Sequence, residues 1–226
     1  MKRIAKTSGI AYLMIFIAGF YANFYAVESL IDLENANATI ANLTQNSSQF
    51  MYGIIGFVVM LVFDLLLVWS LHILLKKVNK NISLTASTLR FINVLFFCAA
   101  LLNLFEVYQI MHDQNLNIQA IETQQNIMSL LKNFNQIWII GLMIFGVHLA
   151  FLGYLIFKSN NIPKSIGLLL FIAALGYVID GIANFMMPNY ADYKDIFAII
   201  VIMPAVIGEF SFTIWLLIKG FKKQLA

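Results

Sequence analysis

Asp64, His148 and Glu209 are the residues whose types and spacing suggest chemistry, because each stands in the middle of a long apolar run where an ionisable group is out of place. Each is followed after 10 to 13 residues by a lysine. At the rise of an α-helix this puts the three side chains at one depth, about 15–20 Å from the lysines. An ionised carboxylate at the centre of a lipid-facing helix costs roughly 2.5–3.5 kcal/mol on insertion scales. Such groups are therefore expected to face protein or a water-filled cavity, or to hold a proton. A second set recurs in the alternate apolar runs: Asn23 with Glu28, Asn103 with Glu106, and Asp180 with Asn184. The last two pairs, spaced i,i+3 and i,i+4, each share one helix face, whereas Glu28 falls off the face of Asn23. Asp64, Glu106, His148, Asp180 and Glu209, assisted by Asn103 and Asn184, are expected to form one membrane-buried polar cluster. No lysine or arginine is expected deep enough in a span to neutralise it. Four ionised carboxylates would then cost on the order of 10 kcal/mol, so the cluster should hold protons, water, or a bound cation or divalent metal. Asp64, His148 and Glu209 are the candidate ligands. Rows of Asp, Glu and His relay protons and bind cations in membranes. The competing reading is that each acid, protonated, hydrogen-bonds a neighbouring helix and acts as packing glue. Pro204, five residues before Glu209, cannot donate to the carbonyl of Ile200, and so predicts a bend or hinge beside that acid, or one that only adjusts packing.

The elements that must position these residues are membrane spans. Hydrophobic residues are 61% of 226, charged residues 11%, and the mean hydropathy is +0.84, values that exclude an ordinary soluble domain. Six apolar runs of spanning length are predicted, over residues 9–31, 50–75, 88–111, 134–157, 164–187 and 196–218. They imply an all-α, single-domain membrane bundle of six helices in three hairpins. Lys2, Arg3 and Lys6 precede the first span, whose apolar run is too long, and lacks the small-x-small ending, for a signal peptide, so it reads as a retained anchor. The loop over residues 32–49 contains no Lys or Arg; its triplets Asn37-Ala-Thr, Asn42-Leu-Thr and Asn46-Ser-Ser read as chance matches to the glycosylation pattern. The second span leaves into Lys76, Lys77 and Lys80, and the third begins beside Arg90. The segment over 112–133 is polar and is expected outside the bilayer, with a short helix or surface loop at 119–125. The fourth span ends at Lys158. Pro163 opens the fifth and Pro188 closes it, while Lys219, Lys222 and Lys223 end the sixth. Twelve of the 14 basic residues fall on one side, with only Lys132 and Lys194 on the other. By the rule that cytoplasmic flanks carry the Lys and Arg, both termini are cytoplasmic. Trp69 and Trp215, each following an acid, give a weak sign of an internal repeat of the first and last hairpins.

Other motifs point away from familiar chemistry. The single cysteine, Cys98, lies within a span and reads as a packing residue; it offers no disulfide framework. A zinc site would want two or three histidines, but His72 falls near the basic flank, pointing into the headgroups, and His112 outside the spans. Gly208-Glu-Phe-Ser211 is no nucleophile elbow. Asp64 and Asp180, in FDLL and VIDG, lack the glycine-flanked setting of an intramembrane protease dyad. No phosphate-binding loop, dinucleotide fingerprint or nucleic-acid module is present, so nucleic acid is not an expected partner. Tyr12, Trp69, Trp138 and Tyr154 read as lipid-contact and interface aromatics. Gly141, Gly146 and Gly153, like Gly176 and Gly181, allow close helix approach without forming a repeated small-residue seam.

Three stretches, IAKTSGIAYLMIFIAG from Ile4, GYLIFKSNNIPKSIGLLLFIAALGYVID ending at Asp180, and GEFSFTIWLLIKG from Gly208, look like an uncharacterised bacterial multi-pass membrane protein family, a domain of unknown function of the 4386 type. The resemblance covers nearly the whole chain. It implies a bacterial cytoplasmic (inner) membrane setting and one six-helix domain, and it supplies no activity. The residues favour small-cation or proton-linked transport through the acid and histidine cluster; the alternatives are a structural or partner-binding membrane component and an intramembrane metal-dependent hydrolase. Composition and motifs do not fix an oligomeric state.

Overall fold

Backbone N–H and C=O groups inside hydrocarbon must find their partners within their own segment, and helices do so without any neighbour. The computed structural model describes residues 2–222, and among these there are helices and turns but no strands. Lys223, counted above on the last basic flank, lies outside the described residues. Six helices are long and apolar enough to cross a membrane: Lys2–Glu28, Ser47–Leu75, Lys80–His112, Ile121–Lys158, Lys164–Met186 and Tyr190–Phe221.

In chain order, α1 (Lys2–Phe20) winds into a π-helical stretch, Tyr21–Glu28. The looser i→i+5 winding corrects one expectation. Asn23 and Glu28 do meet, with Asn23 Nδ2 donating to Glu28 Oε1 at 2.8 Å. The polar loop that follows contains a short helix, α2 (Ala36–Gln45), started by Asn35, whose side chain accepts from the N–H of Ala38 at 3.0 Å. Next come α3 (Ser47–Leu75), α4 (Lys80–His112), α5 (Ile121–Lys158), α6 (Lys164–Met186) and α7 (Lys194–Phe221), the last preceded by a single 3₁₀ turn.

Two helices begin well before the apolar runs that the sequence marks as spans. α4 begins at Lys80, where Asn79 Oδ1 accepts from the Ile82 N–H at 3.0 Å. The polar residues Ser83 and Ser87 had lowered the hydropathy of this turn, yet both are buried. Arg90 therefore sits ten residues inside a helix, about 15 Å from its start, rather than at its beginning. α5 begins at Ile121, so the short helix or surface loop expected at 119–125 is for the most part the first turn of a long helix, with Ile127, Leu130 and Leu131 buried on one face.

The contacts group into two compact units. The first comprises Met1–Leu13, Phe63–Val94 and Ile139–Ala226. Within it helices approach through glycines: a Cβ on Gly153 would lie 2.7 Å from the Gly167 carbonyl oxygen, and one on Gly146 would lie 3.0 Å from that of Ala174. The second comprises Met14–Val62 and Leu95–Trp138. Its core is aromatic, with Trp138 stacked on Phe97 at 3.9 Å and in contact with Phe57 and Phe134. Trp138, half-buried, packs one side of its ring on this cluster. Cys98 is exposed rather than packed inside. Large apolar side chains such as Ile17, Val62, Leu102 and Ile218 are left 58–70% exposed, the pattern of a surface made for lipid.

An arginine-centred candidate site

All residues of the site belong to the first unit. Arg90, on α4, is 1% exposed, Asp64 on α3 is 4%, and His148 on α5 and Tyr12 on α1 are 1% each. Arg90 Nε donates to Asp64 Oδ1 at 2.9 Å, and Nη2 donates to the same oxygen. Nη1 donates to the Tyr12 hydroxyl at 3.3 Å and faces His148 Nε2 at 3.1 Å. His148 Nδ1 lies 2.8 Å from the Ala86 carbonyl. A guanidinium only donates and a carbonyl only accepts, so the ring accepts on Nε2 and donates from Nδ1, which defines the neutral Nδ1–H tautomer. The rings of Tyr12 and Phe145 lie 5.2 and 5.4 Å from the guanidinium carbon, within cation–π range. A buried charge is tolerable when it is paired and its hydrogen bonds are met, and Arg90 meets both conditions.

This overturns the expectation that no basic residue reaches the acids. The missed signal was periodic: Ser83, Ser87, Arg90 and Asn93 stand at i, i+4, i+7 and i+10, one polar stripe on one helix face, and all four are buried. Tyr12, assigned to the lipid interface, is inside the network instead. His72, assigned to the headgroups, is half-buried and bonds Ser83 Oγ through Nδ1 at 3.1 Å. Asn93 Nδ2 donates to the Gly141 carbonyl at 3.0 Å while its Oδ1 is buried without a partner among the described residues. On another side of Arg90 and His148 a cavity of about 10 Å³, lined also by Ser83, Ser87 and leucines, has the volume of one water.

The other predicted residues are dispersed. α7 runs antiparallel along α1, with Leu217 against Gly9 and the Phe212 ring 5.8 Å from that of Tyr12. Glu209, three residues before Phe212, is half-buried and within electrostatic reach of Arg90 and Asp64, but its carboxylate takes no hydrogen bond among the described residues. Asp180 accepts from the Tyr190 hydroxyl at 2.7 Å, and Asn184 is half-buried one turn further along α6. Glu106 is exposed on α4 in the second unit, and Asn103 donates to the Ala99 and Ala100 carbonyls of its own helix at 3.1 and 3.2 Å. Pro204 lies inside α7. Among the described residues no three of His, Cys, Asp and Glu come together as a set able to hold a metal ion.

Six membrane-length helices, one of them carrying a buried arginine fixed to an acid and a histidine of its neighbours, define a multi-pass helical membrane protein. The chain belongs to the family described as Domain of unknown function (DUF4386), whose model matches residues 7–220. It is similar to an uncharacterized protein of Archaeoglobus fulgidus, 33% identical over 177 residues that span 78% of this chain and 89% of the relative. That relative is archaeal, so the similarity extends beyond bacteria. No solved structure matches.

Proposed function

We propose that this chain is a structural or partner-binding membrane component, in which the Arg90 network ties α1, α3, α4 and α5 together at mid-helix. One observation carries the reading: the arginine and the histidine at the centre of the network have every side-chain nitrogen engaged by protein. Asp64, Tyr12 and His148 engage every nitrogen of the guanidinium, both imidazole nitrogens are in use, and the adjoining space is that of one water. A catalytic or cation-binding centre needs an open coordination or proton-transfer position, and this arrangement leaves little room for one. The most economical setting is the cytoplasmic membrane, with the lysine-rich ends of the helices on the cytoplasmic side.

A second reading, proton or small-cation transport through Asp64, His148 and Glu209 with α7 bending at Pro204, is favoured by the half-buried Glu209 carboxylate that no hydrogen bond among the described residues satisfies. The two readings separate in one experiment on reconstituted protein. Asp64→Asn should lower unfolding stability by about 3–5 kcal/mol, the cost of leaving a buried partner unpaired, while wild-type vesicles show cation and proton flux equal to protein-free vesicles. A wild-type flux that Glu209→Gln abolishes without loss of stability would replace the structural reading with transport.

A further inference from the structure

We infer that the crossing of α5 and α6 near the lysine-rich end is a binding site for an anionic phospholipid. Gly153 and Gly167 bring the two backbones into contact, and their missing side chains leave a surface groove of about 170 Å³ lined by Tyr154, Phe157, Leu168 and Phe171. That volume is more than ten times the roughly 10–15 Å³ that a cavity needs to hold one water. The lining is hydrocarbon and ring, with the four large side chains 43–55% exposed, so the groove faces outward. Its mouth is cationic. Lys158 Nζ lies 5.8 Å from the Tyr154 ring centre, and Lys164 Nζ lies 5.4 Å from that of Phe157, so the two ammonium groups flank the aromatic rim.

The start of α6 adds to the positive potential. This helix has 23 residues, Pro163 precedes it, and no side chain caps it. Its first N–H groups and its dipole face the same region as the lysines. An acyl chain along the groove with a phosphate between Lys158 and Lys164 satisfies both halves of the surface at once. Neither a free anion, which has no use for the groove, nor a neutral lipid, which has no use for the lysines, does so. Basic pockets between membrane helices take anionic headgroups by this physics.

The test is a titration of the purified full chain with phosphatidylglycerol and with phosphatidylcholine of the same acyl chains, read by native mass spectrometry. Phosphatidylglycerol is expected to bind in preference, and Lys158→Gln/Lys164→Gln to weaken it roughly 30-fold, at about 1 kcal/mol per lysine. Leu168→Trp, which fills the groove at an exposed position, should weaken it as well. Lys219→Gln, which removes a lysine from α7, should not. Equal binding of the two lipids, unchanged binding by the double variant, or displacement of the lipid by inorganic phosphate would each overturn the assignment.

Discussion

At the scale of single residues, Arg90 is the group around which the others make sense. Asp64 and His148 were legible from sequence because an ionisable side chain inside an apolar run stands out on hydropathy alone. Arg90 was not, because the serines beside it moved the apparent start of its span to within two residues of it, and an arginine at a helix end is unremarkable. Tyr12 was missed because a phenol is equally at home in a membrane interface. The energetics follow from pairing. Replacing His148 with Phe keeps a ring but removes the acceptor of an Arg90 N–H and the donor to the Ala86 carbonyl. An unsatisfied buried polar group costs about 1–3 kcal/mol, so His148→Phe should lower the thermal midpoint in detergent, and an unchanged midpoint would remove His148 from the network. The combined replacement Asp64→Leu/Arg90→Met is expected to be far milder than either single change, since it leaves no charge without its partner.

At the scale of elements, hydropathy located the apolar centres of the helices and not the points where the helices begin, for a physical reason. α4 and α5 run on past the apolar region because one face still has protein to pack against, as the buried Ser83, Ile127 and Leu131 show, and a window average cannot see one face. Helix winding was also invisible: only the π-helical turn brings Glu28 to Asn23. Close helix approach was legible in kind, from the glycines, but not in detail. Gly153→Ala directs a methyl at the Gly167 carbonyl, 2.7 Å away, where only backbone could yield. The cost should be about 1–3 kcal/mol, as for overpacking elsewhere. Gly19→Ala meets only the flexible end of Met60, at 3.2 Å, and should unfold close to the wild-type midpoint. Equal losses for the two variants would show that the α5–α6 contact is looser than its geometry.

At the scale of the molecule, composition alone indicated a polytopic membrane protein. Whether the acids converge could not be read, because each residue turns a helix by about 100° and the rotation of each helix is fixed only by its neighbours. Sidedness rests on charge. With Arg90 buried rather than on a flank, ten basic residues among those described flank the helix ends that carry Lys76, Lys77, Lys158 and Lys164, against Lys132 and Lys194 at the others. The bias is undiminished in sense, because a buried arginine does not take part in the flank rule. With Cys98 replaced by serine, a cysteine at Lys77 or at Asn160 should be labelled by an impermeant thiol reagent only after the cells are opened. One at Asn115, in the turn between α4 and α5, should be labelled in intact cells. The opposite pattern would place the lysine-rich ends outside, and one pattern for all three positions would contradict the alternation of spans.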